Sequence, residues 1–183
     1  KIDRAHMDLT QTDGLTNFIN QSPITLRIAP SRISLRDLSA FVPAFKNFND
    51  VIEFSAEANG KVNDINLRQA TIRLEDKMLF IGQMALRDIT HPKDAYLSGK
   101  VSKLYVTSEG LQDLANNFSE QPVELPKPVL RLGTINFTGE VDGYLNNINA
   151  HGRLASAIGA LELDVAAGRN LERQIATFLK GKI

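Results

Sequence analysis

Apolar and polar side chains alternate with period two over most of this chain. Between residues 51 and 58, Ile52, Phe54, Ala56 and Ala58 alternate with Glu53, Ser55 and Glu57, and a pleated strand sends the two sets to opposite faces. The same alternation predicts strands over 24–28, 65–74, 79–86, 95–106, 129–144, 148–154 and 160–165. In the last of these Leu161, Leu163 and Val165 face away from Glu162 and Asp164. Three strands change phase midway: Ile65 and Leu67 hand over to Ile72 and Leu74, and Leu97 and Val101 to Leu104 and Val106. Leu130 and Leu132 likewise give way to Ile135, Phe137 and Val141, with Gly133 between them. A one-residue slip moves every later side chain to the other face, so each change predicts a bulge or bend. Long strands with repeated bends predict a mainly β fold. It is an elongated, twisted antiparallel sheet that curls into an apolar trough, with two or three short helices.

The helices come from a different period. Leu35, Leu38 and Val42 share a helical face behind Ser34, and Pro43 ends the pattern, which predicts a helix over 34–42. Leu111, Leu114 and Phe118 behind Ser108 predict a second over 108–118. Leu171, Ile175, Phe178 and Leu179 predict a third over 171–180, capped by Asn170. Pro122, Pro126 and Pro128 predict an extended connector.

A short motif of a small polar residue, glycine, a charge and valine recurs at near-equal spacing, with its glycine at Gly60, Gly99 and Gly139. Such a period predicts repeat units, with the three glycines in equivalent places. Asp37–Leu38 and Asp113–Leu114 recur at close to twice that spacing. The expected organisation is a single repeat segment over 1–183, cut from the interior of a larger protein. Its units span 20–97 and 98–167, and 168–183 form the C-terminal helix.

Composition narrows the chemistry. Of 183 residues 43% are hydrophobic and 23% charged, as in a folded domain. The 21 basic residues balance 21 acidic ones, which removes the basic field that nucleic acid binding needs. The absence of cysteine excludes disulfides and thiolate chemistry, and the absence of tryptophan argues against sugar-stacking platforms. His6, His91 and His151 are far apart, and no nucleotide-binding, nucleophile-elbow or zinc motif occurs. Glu53 with Glu57, and Glu162 with Asp164, read as solvated strand faces. No catalytic residue, metal or cofactor is expected.

The segments 33–43 and 59–67, and the later run 132–143 (Leu-Gly-Thr-Ile-Asn-Phe-Thr-Gly-Glu-Val-Asp-Gly), resemble the TamB-like translocation and assembly module proteins of the wider AsmA-like group. The resemblance implies a periplasmic protein of a diderm bacterium, anchored in the inner membrane by a segment outside this chain. It further implies a trough associated with outer-membrane protein assembly and phospholipid movement. Phospholipid acyl chains and an outer-membrane assembly protein are then the expected partners. The candidate groove residues are Phe54, Ile72, Leu74, Ile135, Phe137, Val141, Leu161 and Leu163, since strand parity groups the members of each segment. The competing readings are a secreted β-sandwich adhesin or carbohydrate-binding domain and, behind it, a hydrolase on a β-scaffold.

Overall fold

The computed structural model describes residues 2–7, 23–40, 45–89, 91, 94–117, 123–144, 147–170 and 176–182. Among these, ten strands form one antiparallel sheet in chain order, without a crossover. They are β1 (Ile2–Met7), β2 (Ile24–Ser34), β3 (Val51–Lys61), β4 (Asp64–Leu74), β5 (Met78–Arg87), β6 (Tyr96–Val106), β7 (Ile135–Tyr144), β8 (Asn147–Ser156), β9 (Gly159–Asn170) and β10 (Ala176–Lys182). The sheet does not close, and the second sheet that a sandwich needs is absent among the described residues. A 3-10 turn, Arg36–Ala40, follows β2. Helix α1 (Ser108–Asn117) and the single-turn α2 (Lys127–Leu130) lie between β6 and β7.

Two of the three expected phase changes are bulges. In β4, Leu67 pairs with Met84 and Ala70 with Gly82, so the strand carries one residue more than β5 there, and Gln69 takes φ +48°. In β6 the extra residue lies between Val101 and Leu104. The third change is no bulge. Residues 127–130 are helical, and Gly133 at φ +62° leads into β7 at Ile135, so Leu130 and Leu132 are not in the strand. Pro128 sits in the first turn of α2, where a missing N–H costs nothing, which is why the expected extended connector ends in a helical turn.

The expected C-terminal helix is replaced, over its second half, by β10. Ala176 to Lys182 pair with Asn170 back to Asp164. An unpaired edge on β9 offers a full set of ladder hydrogen bonds, which outweighs a short amphipathic stripe with no second layer to pack on among the described residues. Residues 171–175 are outside the described residues, as are Phe118, Val42 and Pro43. Of the helix expected at 34–42, the described part holds the 3-10 turn Arg36–Ala40, and Ser34 is still paired with Val51 at the end of β2.

The pairing register reveals the repeat. A bulge lies between Ile28 and Ser31 in β2 and, four strands later, between Val101 and Leu104 in β6. Phe54 and Gly60 in β3 match Phe137 and Gly143 in β7, again four strands later, and both glycines have positive φ, +127° and +140°. The unit is therefore a strand, a helical insertion and three more strands, once as β2–β5 and again as β6–β9. The second helical insertion is the longer of the two. Gly60, Gly99 and Gly139 do not occupy equivalent places: they lie in three different register rows, separated by three strand steps and then by one. Their near-equal spacing along the chain mixes strand length with insertion length. The expected unit boundary at 97/98 falls inside β6; the strand order puts it in the loop before Tyr96.

The helical insertions gather at one end of the strands. Thr107 caps α1, its Oγ1 accepting a hydrogen bond from the Gly110 N–H at 3.0 Å. The cap is thus one residue before the expected Ser108. Lys77, in the β4–β5 turn, accepts a hydrogen bond from the Thr107 N–H and reaches Glu109 and Asp113 with its ammonium at 2.8 and 2.7 Å. Asn117 donates to Asp50 at 3.2 Å, joining α1 to the β2–β3 connection. Hydrogen bonds to Asp113 and then to Glu109 push the Lys77 pKa above that of a free lysine. The stabilisation this gives is complete below the ordinary lysine pKa and fades only as the pH climbs through the raised one. We expect Lys77→Met to accelerate amide hydrogen exchange across α1 while β7 to β9 keep their protection. Equal loss of protection in the sheet would contradict a local fastening.

Candidate functional site

Register sorts the strands from β2 to β9 into an apolar and a polar face. On the apolar face, one row runs through directly paired residues across seven strands: Phe54, Ile72, Phe80, Leu104, Phe137, Leu154 and Leu161. The next row is small in its middle, Ala70, Gly82, Val101, Gly139 and Gly152. The large row leans over the small one. A Cβ added at Gly82 would lie 3.0 Å from the Phe80 ring, and one at Gly139 would lie 2.9 Å from the Phe137 ring.

This explains how a sheet with no second layer among the described residues has a core. Each strand packs chiefly on its chain neighbours, yet Ala70 and Ala58 are 0% and 1% exposed. Large side chains of the neighbouring rows and strands converge over these small residues and bury them. Ala56, Ala58, Leu67, Ala70, Phe80, Val101 and Phe137 form its buried floor. Leu26, Phe54, Ile65, Ile72, Met84, Leu86, Leu104, Val141, Ala150, Leu154 and Leu163 pack around them and remain partly open to solvent. The result is an apolar trough with a dry floor and wet apolar walls.

All eight candidate residues face this trough by register. Phe54, Ile72, Phe137, Val141 and Leu163 belong to the packed cluster, and Leu161 continues the large row next to Leu154. Leu74 and Ile135 lie in the row nearest the helical insertions, and Leu74 is 2% exposed there. Parity over 79–86 could not select Phe80, because Met78, Leu79, Phe80 and Ile81 are apolar in succession. Alternation already puts Ala56 on the apolar face with Ile52 and Phe54, whereas Ala70 and the glycines carry too little hydropathy to mark the floor.

No family model, curated protein or solved structure matches the chain. The geometry of the two faces therefore carries the functional reading.

The polar face shows paired charge, not converging chemistry. Arg27 with Glu57, Arg73 with Glu53, and Arg87 with Asp64 are register partners at 3.8 to 3.9 Å. His151 faces Asp164 in the same way at 3.6 Å, both more than three-quarters exposed. Glu162 stands opposite Arg153. His91 lies in the β5–β6 loop, where its N–H donates to the Asp88 carbonyl at 2.9 Å. His6 is in β1, at the far edge. Among the described residues no group of His, Asp and Glu could hold a metal ion. No helix there is long and apolar enough to cross a membrane. Exposed pairs of this kind contribute little. We expect His151→Ala to change stability by no more than about 0.5 kcal/mol in urea melts.

Proposed function

We propose that the chain is a non-enzymatic scaffold whose trough carries lipid acyl chains. It would be one segment of a periplasmic bridge between inner and outer membranes, of the TamB/AsmA-like kind. The observation that carries this reading is the wall of the trough, where large apolar side chains on many strands remain partly in water with no second layer above them among the described residues. A contiguous apolar surface of this size marks a place where something apolar binds.

An acyl chain suits such a surface. Each buried methylene contributes about 0.8 kcal/mol without any directional bond, so a chain is held yet free to slide. The floor offers no polar side chain that would fix a headgroup, which stays at the rim. Outer-membrane protein assembly is the companion role the resemblance implies, with an assembly protein meeting the full-length protein.

Native mass spectrometry of the chain purified without detergent tests the proposal. The expected result is a population carrying one or more phospholipids, lost on delipidation and regained with vesicles. A chain that stays lipid-free after incubation with vesicles would contradict it and leave a structural spacer.

A further inference from the structure

The polar face carries a feature that the four-strand unit does not require. β4 bulges at Gln69, with φ +48°, whereas its counterpart β8 pairs with both neighbours without a register shift. The bulge is therefore particular to the first unit. Backbone strain of this kind concentrates at binding sites.

Beside the bulge lies a cavity of about 360 Å³ whose lining holds Asn59, Asn66, Arg68, Gln83, Ser98 and Lys100 of the polar face beside apolar residues that include Leu67 and Met84, and holds no carboxylate. Arg27, Arg73 and Arg87 on the same face each pair with a register-opposite acid. Arg68 and Lys100 make no ion pair among the described residues, although Glu57 and Glu140 stand opposite them in register. In the second unit the places of Arg68 and Gln83 fall to His151 and Asp164, which face each other at 3.6 Å. The second unit fills with its own charges the place that the first leaves open.

We infer that this cavity is an anion site that takes a phosphate group. A phosphate group is anionic and complements Arg68 and Lys100, the charged side chains of a lining that holds no carboxylate. Arginine grips two phosphate oxygens with its planar fork, lysine adds a point charge, and the amides of Asn59, Asn66 and Gln83 can donate to the rest. The site lies on the face opposite the trough and does not depend on lipid binding there. The group could arrive on a soluble phosphate ester or on a phospholipid headgroup.

The test is a titration of the isotope-labelled chain with glycerol 3-phosphate at low ionic strength, followed by amide chemical shifts. Saturable shifts are expected at Arg68, Gln69, Gln83 and Lys100. Arg68→Gln and Lys100→Gln should each weaken binding at least tenfold, and the double variant should abolish it. Flotation with vesicles containing phosphatidic acid, whose headgroup is a phosphate monoester, lost in the double variant, would assign the phosphate to a headgroup; saturation by glycerol 3-phosphate without flotation would assign it to a soluble ester. Both support the site. Absence of saturable shifts and of flotation, or binding that survives in the double variant, would overturn it.

Discussion

Phe137→Glu destabilises the chain by at least about 3 kcal/mol and does so more at pH 8 than at pH 5. Phe137 is 6% exposed and belongs to the packed floor of the trough. Removing a buried ring alone costs about 3–5 kcal/mol. The introduced carboxyl has no partner on a face composed of Leu104, Leu154, Val101 and glycines, so burial raises its pKa above the ordinary value near 4.3. An acid whose folded pKa is raised loses stability as the pH climbs past its unfolded pKa, which gives the direction. Urea midpoints at the two pH values measure it. Phe137→Leu, which keeps the surface apolar, should retain both folding and lipid capture. A glutamate variant with the parent's midpoint at both pH values would mean that position 137 is not enclosed.

The second large effect is at the floor. Gly139→Val drives a side chain into the carbonyl oxygen of His151, with the Gly152 Cα at 2.7 Å and the Phe137 ring at 2.9 Å from the new Cβ alone. Neither backbone atom can move without opening the β7–β8 ladder, and Gly139 is paired directly with Gly152. A loss of about 3 kcal/mol is expected, at the upper end for overpacking. Thr138→Val, one residue away on the exposed polar face, should fall within about 0.5 kcal/mol of the parent. Thermal melts of the two variants compare them. Equal losses would mean that the two faces of β7 are alike.

How far the sequence reaches can be read from these same residues. Phe137 was assignable to the trough because Ile135, Phe137 and Val141 alternate with Asn136, Thr138 and Glu140. The bulges at Gln69 and between Val101 and Leu104 were legible as phase changes, since one extra residue flips the parity of everything after it. Gly139 was legible as a glycine that matters, but its place was not, because spacing along the chain mixes strand length with insertion length. The true correspondence, Gly60 with Gly143, follows only from pairing register. The strand at 176–182 was hidden because Phe178 and Leu179 also fit a helical stripe, and only the free edge of β9 decides between them. Arg68 and Lys100 gave no signal, since only the pairing of β4, β5 and β6 brings them to one cavity.

The most direct test of the trough is photo-crosslinking by alternation. A photoreactive phenylalanine is placed in turn at Phe54, Phe137 and Leu161, and at Glu53, Thr138 and Glu162, in the chain loaded with phospholipid. Each pair is adjacent in sequence and opposite in face. The account predicts lipid adducts from the first three positions and none from the second three. Adducts from both faces, or from neither, would contradict an acyl-chain trough.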